Sequence, residues 1–262
     1  MDIPFESWYQ AISTRRSIRT YNGQCLDTEV LEHLESLCEE FRPFRGVRAS
    51  IVRDPPEGVF KGIIGSYGEI KNAPHLAAFI GDISVSEVQE ATGYLGEGII
   101  LEATRMGLQT CWIGGFFRPE RLERALDLEK NEKILAITPI GHGVRKKSTR
   151  DKFMSLAIRS RRRKPLEKLI TNSTMNLPSW SKTALKAARL APSAANRQPW
   201  RFTVEANSIT VRREEVKGIS RISRRLDCGI AMLHLEVGAM AHGVKGTWEL
   251  LPEPFVARFS IN

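Results

Sequence analysis

A glycine-bounded helical stretch followed by a tryptophan occurs twice in this chain, and that echo limits the folds open to it more than any other feature. Displacing residues 93–112 by 136 positions sets Gly93 on Gly229, Ala103 on Ala239, Gly107 on Gly243 and Trp112 on Trp248. The identities are few, but they fall at helix ends and in the strand that follows, as a degenerate internal duplication requires. The two halves would then pack as a pseudo-dimer around a shared core. The plainer alternative is two helix–strand units that merely look alike.

The surrounding pattern repeats in the same sense. Apolar spacing predicts helices over Phe5–Ile12 and Leu26–Cys38, the second with Asp27 or Thr28 as its cap. Short apolar runs at Ala49–Val52 and His75–Ile80 have strand length. Gly93–Gly107 reads as a buried helix stopped by its final glycine, and Ile134–Ile140 as a strand. Downstream come a helix at Ser179–Leu190, a hairpin of Trp200–Val204 and Ser208–Arg212, a helix over Leu226–His242, and strands near Val244–Leu250 and Phe255–Ile261. The order helix, strand, long helix, strand appears twice, which makes the fold class α+β. We divide the chain into a first repeat over 1–165 and a second over 166–262, within one domain.

Composition closes off several classes. The chain has 262 residues, of which 42% are hydrophobic and 26% charged, an ordinary globular balance. No apolar run approaches the roughly 18 residues of a membrane span, and the start does not resemble a signal peptide, so a soluble cytoplasmic protein is expected. Cys25, Cys38, Cys111 and Cys228 are scattered without a CxxC pair, which argues against a disulfide scaffold or a cysteine zinc site. The five histidines show no HExxH, so no metal is expected. The formal charge of +9 invites a nucleic-acid reading, because lysine and arginine neutralise phosphates. Much of that excess, however, lies between Arg145 and Lys168, without an RNP, zinc-finger or helix-turn-helix pattern. A solvated basic linker and a local phosphate site both account for it.

Two motifs carry chemistry. Arg15-Arg16-Ser17-Ile18-Arg19 follows a short helix and places three guanidiniums and a hydroxyl within five residues, a set suited to an anion. Basic residues at a helix end also favour its dipole. The second motif runs from Ala191 through Pro192, Ser193, Asn196 and Gln198 to Phe202. Prolines stiffen both ends of the loop, and its side chains can address donors and acceptors on a planar heterocycle. A capped helix end leading into an edge strand is the structural alternative.

Together these motifs resemble the FMN-dependent nitroreductase family over nearly the whole chain. The Arg-Arg-Ser-x-Arg start, the segment ending Thr110-Cys111-Trp112-Ile113-Gly114-Gly115-Phe116, the Arg161–Leu166 run and the Pro192–Trp200 loop each look like that family. The first half lacks the Pro-Ser loop and the second lacks the Arg-x-Ser motif and the glycine turn. The chain therefore looks like the fused, single-site branch of the family, the TM nitroreductase-like group. The resemblance implies an antiparallel sheet flanked by helices, a pseudo-dimer in one chain, and one FMN per chain.

It also implies roles. Arg15, Arg16, Ser17 and Arg19 match the phosphate and ribityl contacts, and Arg161 and Arg163 the second phosphate clamp. Pro192, Ser193 and Asn196 match the loop that covers the flavin from the opposite half. Ile113, Gly114 and Gly115 match the turn whose backbone faces flavin N5. NADH or NADPH would be the electron donor and a small molecule, nitroaromatic, quinone or similar, the acceptor. No catalytic side chain is expected, because the cofactor carries the chemistry. The internal interface would leave the chain a monomer. The alternative function is a flavin-binding redox sensor or carrier without turnover.

Overall fold

The computed structural model describes residues 2–60, 69–144, 162–172, 176–214 and 222–261. Six α-helices are present among them: α1 (Phe5–Thr14), α2 (Thr28–Glu40), α3 (Val88–Arg105), α4 (Glu123–Leu126), α5 (Ser179–Arg189) and α6 (Arg224–Ala241). The first half holds strands β1 (Val47–Val52), β2 (His75–Asp82), β3 (Gln109–Thr110) and β4 (Glu132–Gly141). The second holds β5 (Trp200–Val204), β6 (Ser208–Arg213), β7 (Gly246–Leu250) and β8 (Phe255–Ile261). Every pairing is antiparallel. The sheets have the orders β1-β2-β4-β3 and β5-β6-β8-β7, which are the same topology built twice. Each half thus contributes its own four-stranded sheet, and the layer between the two halves is helical.

That layer is the pair α3 and α6, joined where the sequence echo pointed. A Cβ on Gly93 would overlap the carbonyl of Leu226, and one on Gly229 would overlap the carbonyl of Glu90. The two contacts are the same contact seen from either helix, because Glu90 and Leu226 are themselves 136 positions apart. Only glycine lets two helical backbones approach this closely. Contacts then advance together along both helices, from Glu90 with Arg225 to Glu97 with His234, so the helices run in the same sense. At their C-terminal ends Gly107 and Gly243 take φ of +79° and +82°, the left-handed stop expected of such glycines.

The two sheets differ in what covers them. The His75–Gly81 segment of β2 is buried throughout, because a second apolar cluster that includes Val59, Phe117, Leu122 and Leu126 caps the outer face of the first sheet. Phe117, Leu122 and Leu126 of this cap come from the long β3–β4 connection, which carries α4, and Val59 comes from the β1–β2 connection. In β5 buried and half-buried positions alternate, and in β7 half-buried and exposed ones, the period of a sheet with one wet face. One continuous core runs from Trp8, Phe79 and Ile99 to Trp200, Met232 and Phe259, across both halves. The halves therefore share their apolar interior, as a fused pseudo-dimer must. No helix among the described residues is long and apolar enough to cross a membrane.

Candidate active site at the junction of the halves

The helix α1 ends at Arg15, and its position is set by Trp8, whose indole N–H donates to Glu102 Oε2 on α3 (2.8 Å). Beyond it the chain lies along β3: Ser17 bridges Thr110, and Ile18 N–H donates to the Thr110 carbonyl (2.9 Å). The Arg15–Arg19 motif and the strand leading to the glycine turn are thereby made neighbours.

Arg15 is buried, with 7% of its surface exposed. Its Nε and Nη1 have no hydrogen-bond acceptor among the described residues; the Glu97 carboxylate stands 3.8 Å from Nε. Burial lowers the pKa of this guanidinium, with Arg16 acting in the same direction and Glu97 opposing. Arg163 is pulled down to about 10 by burial and then by the positive charges of Arg15, Arg16 and Arg189. Four guanidiniums from three parts of the chain thus converge, an arrangement that is unfavourable until an anion joins it. The buried, unaccepted donors of Arg15 and the surrounding positive charge fit a phosphate.

Other anticipated residues have more defined neighbours. Arg19 is half-buried and its carbonyl accepts from Lys71 N–H (2.8 Å). Arg16 and Ser17 are exposed. Asn196 is engaged at both ends: Oδ1 accepts from Arg163 Nη1 (3.1 Å), and Nδ2 donates to the Arg162 carbonyl (2.8 Å). Residues 162–164, at the described end of the basic segment, are therefore fastened to the Pro192–Gln198 loop, and Lys164 N–H adds a bond to Gln198 Oε1 (2.8 Å). Ser193 Oγ accepts from Gln198 N–H (2.9 Å), and Pro192 is buried. Arg161 lies outside the described residues.

The loop itself is strained. Ala195, Asn196 and Gln198 hold φ of +51°, +53° and +49°, a left-handed conformation that costs non-glycine residues about 1 kcal/mol or more each. Three such residues within four positions persist because the loop is tied from outside. The buried Asp227, in the first turn of α6, accepts from Arg197 Nε (2.6 Å) and Ala194 N–H (3.0 Å). Arg197 Nη2 also donates to the carbonyls of Ile222 and Ser223 (both 2.9 Å).

The glycine turn lies opposite. Ile113 exchanges both backbone hydrogen bonds with Ile137 (2.9 Å each), which commits its N–H. The N–H groups of Gly114 and Gly115 find no acceptor among the described residues. Trp112, just before the turn, donates to Glu97 Oε2 (2.6 Å), and His234 Nε2 from α6 lies 2.8 Å from Glu97 Oε1. One buried carboxylate thus touches the glycine turn, the arginine motif and the opposite half.

Burial pushes the Asp227 carboxyl up to about 6, against the pull of Arg197 and the Ala194 N–H. Its folded pKa lies above the unfolded value of about 3.9, so the folded state holds the proton more tightly. This group's contribution to stability is then largest below about pH 4 and declines as the pH rises toward 6. Asp227→Asn removes the titration and leaves a pH-independent offset from the unpaired Arg197. Wild-type stability should therefore fall relative to the variant by about 2 kcal/mol between pH 4 and pH 6.5, at a slope approaching about 1.4 kcal/mol per pH unit midway. Urea unfolding across that range would show it, and a flat difference would refute it.

Sequence reasoning missed Arg189, Arg197, Asp227, Glu97 and Ile222. Glu97 and Asp227 had a signal, since a charge inside an otherwise apolar helix must find a partner. Ile222 had none. Of the histidines, His33 reaches Glu102, His75 accepts from Leu26 N–H, and His234 meets Glu97, so three of them serve packing.

The family model described as "Putative TM nitroreductase" matches residues 7–239. A protein from Thermotoga maritima described as a "putative nitroreductase" superposes with a TM-score of 0.67 over 97% of this chain and 94% of its own, at 20% identity. An FMN-dependent nitroreductase from Clostridium difficile matches 53% of this chain and 88% of its own, at 21% identity and a TM-score of 0.43. A nitroreductase with bound FMN from Bacteroides fragilis matches 54% and 93%, at 16% identity and a TM-score of 0.40. No relative among the curated proteins matches the chain. The chain belongs to the TM nitroreductase family, and its class is that of an oxidoreductase.

Proposed function

We propose that this protein is an FMN-dependent oxidoreductase that uses NADH or NADPH to reduce a small acceptor, with one flavin per chain. The observation that carries the reading is the convergence of Arg15, Arg16, Arg163 and Arg189, with the buried Nε and Nη1 of Arg15 lacking an acceptor. Such a cluster binds a phosphate monoester through charge-assisted, forked hydrogen bonds. Arg15, Arg16 and Arg163 hold that phosphate, and Ser17 and Arg19 lie on its ribityl side. Arg161 belongs to the same run in the sequence and is assigned to it by resemblance alone. The N–H groups of Gly114 and Gly115, rather than the committed one of Ile113, are the donors offered to flavin N5. Pro192 and Ser193 form the cover from the second half, and Asn196 keeps Arg163 in place beneath it.

When bound, FMN would supply the two-electron hydride chemistry that links a nicotinamide donor to the acceptor. The protein's part is to bind, orient and shield. The division at 165/166 is supported by the equal sheet topologies and the reciprocal glycine contacts. A single site per chain is supported by the fact that the arginine motif and glycine turn occur only in the first half and the Pro-Ser loop only in the second. The core shared across α3 and α6 supports a monomer.

The reading is tested by adding FMN to the purified protein, desalting, and titrating anaerobically with NADH and then NADPH. Close to one retained FMN per chain, bleached by at least one nicotinamide, is the expected result. Retained flavin that neither donor bleaches would favour a sensor or carrier, and no retained flavin would overturn the proposal.

A further inference from the structure

Ile222 stands in the connection that enters α6, in the second half, and its side chain reaches the glycine turn of the first. A Cβ on Gly114 would lie 3.0 Å from Ile222 Cγ2, and one on Gly115 would lie 3.3 Å from Cγ1. Ile222 therefore fills the space that side chains at both glycine positions would take. Its backbone is held by the Arg197 Nη2 bond to its carbonyl (2.9 Å), and Arg197 is in turn held by the buried Asp227. Rigid support of this kind makes a wall rather than a mobile cover.

We propose that Ile222 is the specificity-determining wall of the acceptor site, an apolar surface lent by one half to the N5 turn of the other. The inference rests on the flavin reading above. An aliphatic wall has no hydrogen bond or charge to offer, so it favours uncharged, flat ring acceptors, and its volume sets how large a ring enters. A difference of a few carbons in an apolar pocket changes relative kcat/KM by roughly tenfold or more.

Two measurements test it. With p-benzoquinone and menadione as acceptors and NADH or NADPH as donor, Ile222→Ala should raise the menadione-to-benzoquinone ratio of kcat/KM about tenfold, and Ile222→Phe should lower it. Separately, urea unfolding of the flavin-free protein should show Gly114→Ala lowering the midpoint in the presence of Ile222 and much less in the Ile222→Ala background. A ratio unmoved by both Ile222 variants, in a protein that retains FMN, overturns the wall and leaves the proposed function standing. Additive midpoints overturn the contact on which the wall depends. Wild-type protein that retains no FMN overturns the proposed function, and the wall with it.

Discussion

Gly229→Ala is expected to destabilise the protein by about 3 kcal/mol or more, although on an exposed helix the same change adds about 1 kcal/mol of stability. The sign reverses because the added methyl would meet the carbonyl oxygen, carbonyl carbon and Cα of Glu90, all backbone. A side chain could rotate away; a helix can only retreat. Separating α3 from α6 opens gaps along the whole contact, including buried Leu95, Ile99, Ile230 and Leu233 in the shared core. Gly93→Ala should behave alike, since its methyl would meet the Leu226 carbonyl. The double variant should cost less than the two added together, because one separation of the helices relieves both clashes. Gly107→Ala and Gly243→Ala are the controls: nothing lies within 4 Å of either added methyl, and only the positive φ is penalised, by about 1 kcal/mol. Denaturant unfolding of the four single variants separates these cases. A loss below about 1 kcal/mol at Gly229 would show that the helices do not cross here.

Arg15→Ala is expected to weaken FMN binding by roughly ten- to a hundredfold, the effect of about 1.5–3 kcal/mol from a charged hydrogen-bond partner. Riboflavin, which has no phosphate, should lose much less, and the contrast assigns the loss to the phosphate. Arg15→Lys should recover only part of it, because an ammonium retains the charge without the fork. Arg19→Ala should change FMN affinity less than Arg15→Ala, since Arg19 is half-buried whereas Arg15 holds buried donors without an acceptor. Fluorescence titration of each flavin-free protein with each ligand gives the constants. Equal affinity for FMN in wild type and Arg15→Ala would remove Arg15 from the phosphate site.

Much of this architecture could be read locally. The helical period over Gly93–Gly107 and Leu226–His242, and the strand-length runs at His75–Ile80 and Phe255–Ile261, correspond to α3, α6, β2 and β8 with shifts of a few residues. α3 begins at Val88, five residues before the Gly93 at which the sequence pattern opens the helix. The echo at 136 positions carried more than composition could. A glycine at a helix crossing is irreplaceable, so Gly93 and Gly229 outlast their neighbours when two copies drift apart.

The candidate site was legible as motifs but not as an arrangement. The Arg15–Arg19 and Pro192–Gln198 segments suit an anion and a planar heterocycle by residue type alone. Nothing in either segment tells which arginine is buried without an acceptor, or that Asn196 is occupied by Arg163. Nor does local pattern show that the Ile113 N–H is committed while those of Gly114 and Gly115 are not.

By itself, then, the sequence determined the class of fold, the echo between its halves, and the residue types of the candidate site, because periodicity, glycine stops and charge clusters are properties of neighbouring residues. The tertiary structure alone decided which guanidiniums converge, which backbone donors are left open, and that Ile222 of one half meets the glycine turn of the other. Those outcomes depend on where distant backbones approach across α3 and α6, and such distances are set by packing of the whole core rather than by any stretch of chain.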